Sequence, residues 1–466
     1  MNNQKTLNEL NDRALEFWVE KIKDKAALVL EKRGLLVEDN QLREVLLKTP
    51  GIKIKGTRVF FMADKTAAFF EQYRKCHPFI PSVEYNLRGT EHAHHITAMD
   101  GQVRPITLQD IETGTRLYGA LGAFGIRGSA PGIPQDVPPA LRSLAQLIAG
   151  AKNKPGYPTF VPSEFKEEKA HIAECLKVLG YGTSIGVHLV SPLKFIGQEV
   201  ENALEQLRGG LQASVGIGTM PMLGLSAPMS VLSGFVVALA EVAGGGMIFE
   251  ILGVPMERLR ISVNTYPVDM RSGNFVYGTP ANLASTVIGR AVNRWLGTEI
   301  TAKTFCCSAQ TPGPQACAQK AAFTGLAAAL GMKRFSGAGS LSVDEIFSPV
   351  QLIFDREIFN YVQRSCAMTA ESLNDDLFLL DDLLENEEDN FMASPATAKY
   401  CRVLQWDSDI FPNRMLAQWE TAGRPSEQEA AAAEIQRLLA GYDYRLPEDK
   451  ASELDRIFDR AAENTK

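Results

Sequence analysis

SIGVHLV (184–190), ASVGIGTM (213–220) and LRISVNT (259–265) are three runs of β-branched and small residues, each followed by polar or turn-forming positions. Between them lie stretches with helical patterning, Glu199–Leu207 and Pro228–Ala243. Strand, loop and helix in that order give parallel neighbours, because an antiparallel return needs only a short turn. Outward from this centre the same rhythm continues. Strand-like runs recur at GIRG (from Gly125), YPTFV (from Tyr157), ITAKTFC (from Ile300) and KRFSGAGS (from Lys333). Helical runs at Pro139–Lys152, Phe165–Leu179, Thr279–Leu296 and Gln315–Leu330 separate them. Seven units are visible and PVQLIF (Pro349–Phe354) offers an eighth strand, so the pattern predicts a (β/α)8 TIM barrel.

Flanking segments differ. Residues 1–107 predict an α+β extension: a helix over about 6–33, a hairpin in IKIKGTRVFF (Ile52–Phe61), and a second turn at Asp100-Gly101. The barrel core is placed at 108–370, and 371–466 reads as a helical extension of the same domain. Within it, Leu373–Asn390 has leucines at helical spacing among acidic residues, which predicts one amphipathic helix with a solvated face.

Composition narrows the function. The net charge of −7, with no basic cluster, argues against a nucleic-acid partner. Seven scattered cysteines without Cys-x-x-Cys spacing point to free thiols in a reducing, cytoplasmic setting. The N-terminus reads as an amphipathic helix rather than a signal peptide. Residues 209–240 carry no charge, yet Pro221, Pro228 and several glycines break the run, which favours a buried strand and helix over a membrane span.

A barrel of this kind works at the C-terminal ends of its strands. Those ends carry His188 and Ser191; Met220 and Met222; Asn264, Tyr266 and Asp269; Cys306, Cys307, Ser308 and Gln310; and Ser336. The densest set is NTYPVDMRSGNFVYG (Asn264–Gly278), where an amide, two tyrosines, a carboxylate and a guanidinium share one loop. The alternative for Asp269 is to pair with Arg271 or cap the next helix. Three other signals are weak. Glu91-His92-Ala93-His94-His95 lacks metal-ligand spacing. The Gly-x-Gly pairs at Gly216/Gly218 and Gly337/Gly339 fit tight packing as well as a phosphate. Adjacent Cys306 and Cys307 rarely form a relaxed bridge. No nucleophilic triad or phosphate loop is present, so no catalytic residue, metal site or resident cofactor is assigned.

Several ordered stretches resemble the trimethylamine methyltransferase (MttB) superfamily. They are FIGQEVENAL (Phe195–Leu204), MPMLGLSAPMSVLSGFVVALAEV (Met220–Val242), VDMRSGNFVYGTP (Val268–Pro280), SAQTPGPQACAQKA (Ser308–Ala321), LIFDREIFNYVQR (Leu352–Arg364) and MLAQWETAGRP (Met415–Pro425). The resemblance runs from about residue 100 to the C-terminus and implies a (β/α)8 barrel that passes a methyl group from an amine to the cobalt of a separate corrinoid-binding protein. It also marks departures. Ala318 stands where the trimethylamine enzymes carry pyrrolysine, and ENEEDNFMASPATAK (Glu385–Lys399) lacks the histidine many relatives have there.

The chemistry then selects a substrate class. Cob(I)alamin supplies the nucleophile, so the enzyme must supply a substrate with a good leaving group. A quaternary ammonium leaves as a neutral amine, whereas a tertiary amine needs prior activation, so a small quaternary amine such as glycine betaine is expected. A sulfonium compound or another methylated amine obeys the same logic. A barrel that binds such a ligand without transfer, and an unrelated chemistry on the same scaffold, are the competing readings. Substrate contacts are expected from Asn264, Tyr266, Asp269, Arg271, Tyr277 and Gln310. Tyr266, Phe275 and Tyr277 would form an aromatic cage for the cation. Arg271, Asn264 or Gln310 would hold a carboxylate, with Asp269 fixing Arg271. The subunit is expected to act as a homo-oligomer.

Overall fold

The computed structural model describes residues 12–163, 165–182, 184–210, 213–373, 375–385, 390–404, 406 and 408–464. Its centre is the predicted parallel sheet. Ser184–Leu189 pairs with Ser214–Thr219, which pairs with Leu259–Ile261; Val187 lies opposite Ile217, and Ile217 opposite Ile261. A second parallel sheet places Asn86–Gly89 between Arg334–Ala338 and Ile126–Arg127. Ala302 joins it through a parallel bridge to Phe335. One strand of the parallel framework thus comes from the segment read as an extension before residue 108. NLRG is too short to show a period in sequence.

The two sheets are not joined by strand pairing among the described residues, and no closed barrel is seen there. YPTFV, expected as a strand, has no strand assignment. Buried amides satisfy the edges instead. Gln146 donates to Glu91 O (2.8 Å) and accepts from Val161 N (2.7 Å). Asn293 accepts from Val263 N (2.9 Å) and donates to Val263 O (2.8 Å). A buried strand edge without such partners would strand polar groups at a cost of about 1–3 kcal/mol each.

The strands alternate. Ile185, Val187 and Leu189 are buried against helices, while Ser184, Gly186 and His188 are exposed. Leu87, Ile126 and Phe335 are buried in the second sheet, and Arg88 and Arg127 are exposed. Parallel strands covered on both faces are apolar throughout. Here one face of each sheet packs and the other is a polar, accessible wall.

Helices cover the packed faces. Val231–Ile251 has an 18-residue window apolar enough to cross a membrane, but 72% of that window is buried in the fold. It carries Glu241, fully buried, which accepts from Leu193 N (2.7 Å) and from the hydroxyls of Ser191 and Thr219. Asp12–Lys32 packs on this helix and on Pro280–Trp295. The predicted hairpin is present as Ile52–Lys55 and Arg58–Phe61, and Leu35–Val37 ties it to Lys194–Phe195. The hairpin expected around Asp100-Gly101 pairs His95–Thr97 with Val103–Pro105.

Two expectations need correction. Pro349–Phe354 is not a strand but the start of the helix Pro349–Glu371. Ser348 caps it by accepting from Gln351 N, and Pro349 suits the first helical turn. The single helix expected over Leu373–Asn390 is instead a 3-10 turn, Asp375–Phe378, and a short helix, Leu380–Glu385, with positive φ at Leu379 between them; 374 and 386–389 lie outside the described residues. The C-terminal helices clasp the body at two places: Glu427–Ala440 against Leu108–Ala120 and Pro349–Glu371, and Glu448–Glu463 against Arg142–Asn153 and Lys166–Leu179.

Candidate functional site

The loop after Leu259–Ile261 continues its pairing for a few residues. Tyr266 N donates to Pro221 O (3.0 Å), and Leu223 N to Tyr266 O (2.9 Å). This pins Tyr266 at the C-terminal mouth of the sheet. Val268–Asp269 and Asn274–Phe275 then form a small hairpin. Tyr277 is fixed beyond it by Ser308, whose hydroxyl donates to Tyr277 O at 2.9 Å. Tyr266, Tyr277 and Cys306 are buried together with Phe275 and Val343 packed against them, and the Tyr266 and Phe275 rings meet edge to face at 5.5 Å.

Lys303 completes this cluster. It lies deep in the protein yet has an exposed side chain, so it faces internal accessible space, and its Nζ is 5.4 Å from the Tyr266 ring centroid. Tyr266 raises its pKa against the pull of burial, with Tyr277, Cys306 and Asp344 adding to the effect, so Lys303 is a cation at neutral pH. Burial pushes the Cys306 thiol up to about 12, which leaves it an inert filler. Asp344 also acts on His92, whose pKa is lowered by burial and pulled back by Asp344 and Glu91. His92, Lys303 and Asp344 therefore lie within electrostatic range of one another, although they come from three distant segments. Among the described residues no group of three or more His, Cys, Asp or Glu is placed to hold a metal.

The structure separates the expected site residues. Asn264, Tyr266 and Tyr277 line one small cavity with Lys303. Its volume of about 50 Å³ is a third of the roughly 150 Å³ that admits benzene, so a trimethylammonium group does not fit within it. Asp269 and Arg271 instead pair with each other at the hairpin tip, Arg271 Nη2 to Asp269 Oδ2 at 2.7 Å. Arg271 hydrogen bonding holds the Asp269 carboxyl down at about 2. Arg271, its side chain 91% exposed, does not line that cavity; the tight hairpin turn brings its guanidinium back onto Asp269. Gln310 is exposed and donates to Ser308 O at 2.7 Å. Arg271→Ala is accordingly expected to change kcat/KM by less than about twofold, as exposed ion pairs contribute little; a tenfold loss in steady-state assays would put the guanidinium in the site.

Of the glycine pairs, Gly337 is fixed by packing, whereas a Cβ on Gly216 would meet nothing closer than 3.9 Å. A Cβ on Gly337 would stand 2.6 Å from Cys306 Sγ, and Gly337 has φ +101°. Cys306 and Cys307 are free thiols. His188 Nδ1 sits 3.2 Å from Glu199 Oε2 on the accessible wall.

Sequence comparison decides the family. The profile of the trimethylamine methyltransferase (MTTB) family matches residues 14–465. This chain belongs to the trimethylamine methyltransferase family. Members similar to it include a glycine betaine methyltransferase of Desulfitobacterium hafniense, 27% identical over 290 residues covering 56% of this chain and 58% of the relative. The trimethylamine methyltransferase MttB of Methanosarcina barkeri is 24% identical over 276 residues, 58% of this chain and 54% of the relative. The chain thus aligns with just over half the length of these methyltransferases. The monomethylamine methyltransferase MtmB of Methanosarcina barkeri superposes with a TM-score of 0.40 at 15% identity, over 94% of this chain and 95% of that one. In this chain, position 318 on the helix Pro314–Ala329 is an alanine, with a plain methyl side chain.

Proposed function

We propose that the protein transfers a methyl group from a small carboxylate-bearing quaternary amine, of the glycine betaine type, to the cob(I)alamin of a separate corrinoid protein. The observation that carries this reading is Lys303, a deep cation beside Tyr266 and Tyr277 in a chain of this methyltransferase family. A fixed ammonium repels a bare cationic amine but holds a zwitterion by its carboxylate. The accessible wall around Lys303 and His92, rather than the small cavity behind them, would receive the ligand. Tyr277 and Phe275 would face the trimethylammonium end, since Lys303 already occupies the cation position over Tyr266.

Transfer then needs little from the protein beyond orientation. The nucleophile's electron pair attacks the methyl carbon, the carbon–nitrogen pair returns to nitrogen, and the substrate leaves as a neutral tertiary amine. No proton moves in that step, so neither a general acid nor a special electrophile at Ala318 is required. The positive charge is lost on the way, and a dry aromatic surround favours that loss over a carboxylate pressed to the ammonium. The same reading takes the two parallel sheets as opposite walls of one (β/α)8 barrel, with residues 157–161 and 300–304 completing the circuit. Its mouth presents exposed Met220, Leu225, Met229 and Met270 to the corrinoid partner. Met-rich rims suit a partner that must dock and leave.

The test is methylation of free cob(I)alamin followed spectroscopically. Glycine betaine is expected to support methylcobalamin formation and trimethylamine not to. Equal or faster turnover of trimethylamine overturns the reading.

A further inference from the structure

A second cavity opens toward the N-terminal ends of the strands and adjoins the first at Thr301. Ser82, Val83 and Glu84 precede Asn86–Gly89, Thr301 precedes the Ala302 bridge, and Arg334 is the first residue of its strand; all line one space of about 720 Å³ that is open to solvent. Arg88, Arg127 and Lys154 line it too. That volume is ample for a small organic ligand.

Its charge is unusual for a protein with a net charge of −7. Arg88 and Arg127 stand directly opposite each other on adjacent parallel strands. Arg334 lies across the first of these strands, opposite Asn86. Like charges held in such register destabilise a sheet. Arg88 is relieved by Glu91, with two bonds of 2.8 and 2.9 Å. For Arg127, Lys154 and Arg334 no carboxylate partner is found among the described residues. Lys154 Nζ donates only to Pro155 O (3.3 Å), and Arg334 Nη1 reaches Glu299 O at 3.5 Å. Glu84 is the single carboxylate on the wall, against these three cations. Burial, then the charge of Arg127, lowers the pKa of Lys154. The Thr159 hydroxyl, in the same wall, is buried without a hydrogen-bond partner.

We infer that this cavity binds a small multivalent oxyanion, a phosphate ester or a polycarboxylate, on the arginine-lined part of the wall toward the N-terminal ends of the strands. Two guanidinium groups offer paired N–H donors of the geometry that carboxylate and phosphate oxygens accept, and Lys154 in the same lining adds a point charge. At least two negative charges are needed to balance the wall. The inference stands on the cavity alone and does not depend on the substrate proposed above.

Calorimetry and thermal melts of the full chain with pyrophosphate and with citrate, at constant ionic strength against sodium chloride, test it. Saturable binding of either anion is expected, and the preferred anion assigns the class. Arg127→Gln and Arg334→Gln should each weaken Kd by about tenfold or more. Without anion, Arg127→Gln should melt at or above the wild-type temperature, because a like-charge contact is removed. A residue that merely supports the fold would lower it. Lys154→Gln, outside the paired strands, gives the same affinity test should an arginine variant not fold. Absence of saturable binding by both anions, or wild-type affinity in all folded variants, overturns the proposal.

Discussion

Lys303→Met is expected to lower kcat/KM for glycine betaine by roughly 10- to 100-fold. A charge-assisted hydrogen bond to a carboxylate contributes about 1.5–3 kcal/mol, and each 1.4 kcal/mol is about tenfold. The Lys303 ammonium lies against the Tyr266 ring, 5.4 Å from the centroid, in a partly enclosed wall where a water does not replace it at equal strength. Most of the effect should fall on KM, since the bond is present in ground and transition states alike. Lys303→Arg should retain part of the activity. A quaternary amine without a carboxylate, such as tetramethylammonium, separates this role from a structural one. Its slow turnover should be unchanged or improved in Lys303→Met, because the repelling charge is gone. Parallel steady-state assays with both amines decide the matter: equal losses would mean that Lys303 only supports the fold.

The largest stability effect is expected from Lys320→Ala. Lys320 and Asp355 form an ion pair at 2.7 Å, both side chains fully buried. Asp355 also accepts from Gly339 N (2.7 Å) and Gln351 Nε2 (2.8 Å), and Lys320 donates to Ser340 O (2.8 Å). Removing the cation leaves a buried carboxylate whose pKa burial already raises. Breaking such a pair costs about 3–5 kcal/mol. The double variant Lys320→Met/Asp355→Leu should recover part of this but not all, because Gly339 N–H then has no acceptor. Urea-unfolding midpoints of the three proteins check both statements; a loss below about 1 kcal/mol in the single variant would show that water reaches the pair. The pair also braces the Gly339–Ser340 turn, and Ser340 Oγ in turn holds Val343 O at 2.8 Å, next to Asp344. Damage here should therefore reach the site.

What the sequence made legible was whatever is periodic. The runs at 184–190, 213–220 and 259–265 alternate or follow turn residues, and each pairs in parallel as read. Pro349–Phe354 misled because an apolar run of that length fits a strand or a buried helix turn, and the cap at Ser348 decides between them. The site was legible only within one loop: Asn264, Tyr266 and Tyr277 do come together. The pairing of Asp269 with Arg271 was readable from their spacing, but not that the pair stands at an exposed hairpin tip outside the cavity lined by the other three. His92, Lys303 and Asp344 were missed because their nearness is tertiary. One local signal existed for Lys303: a lysine within the otherwise strand-like ITAKTFC has no place on a packed face.

Alternation along the parallel strands has an evolutionary corollary. Neighbouring residues of one strand answer to different selective pressures. A mutation at Ile185, Val187 or Leu189 is judged by whether the chain still folds. One at Ser184, Gly186 or His188 falls on the accessible face and is judged by what that face then admits. Ligand preference can drift at every second position while the scaffold stays intact. Such a lineage can diversify its ligands without first acquiring a new architecture.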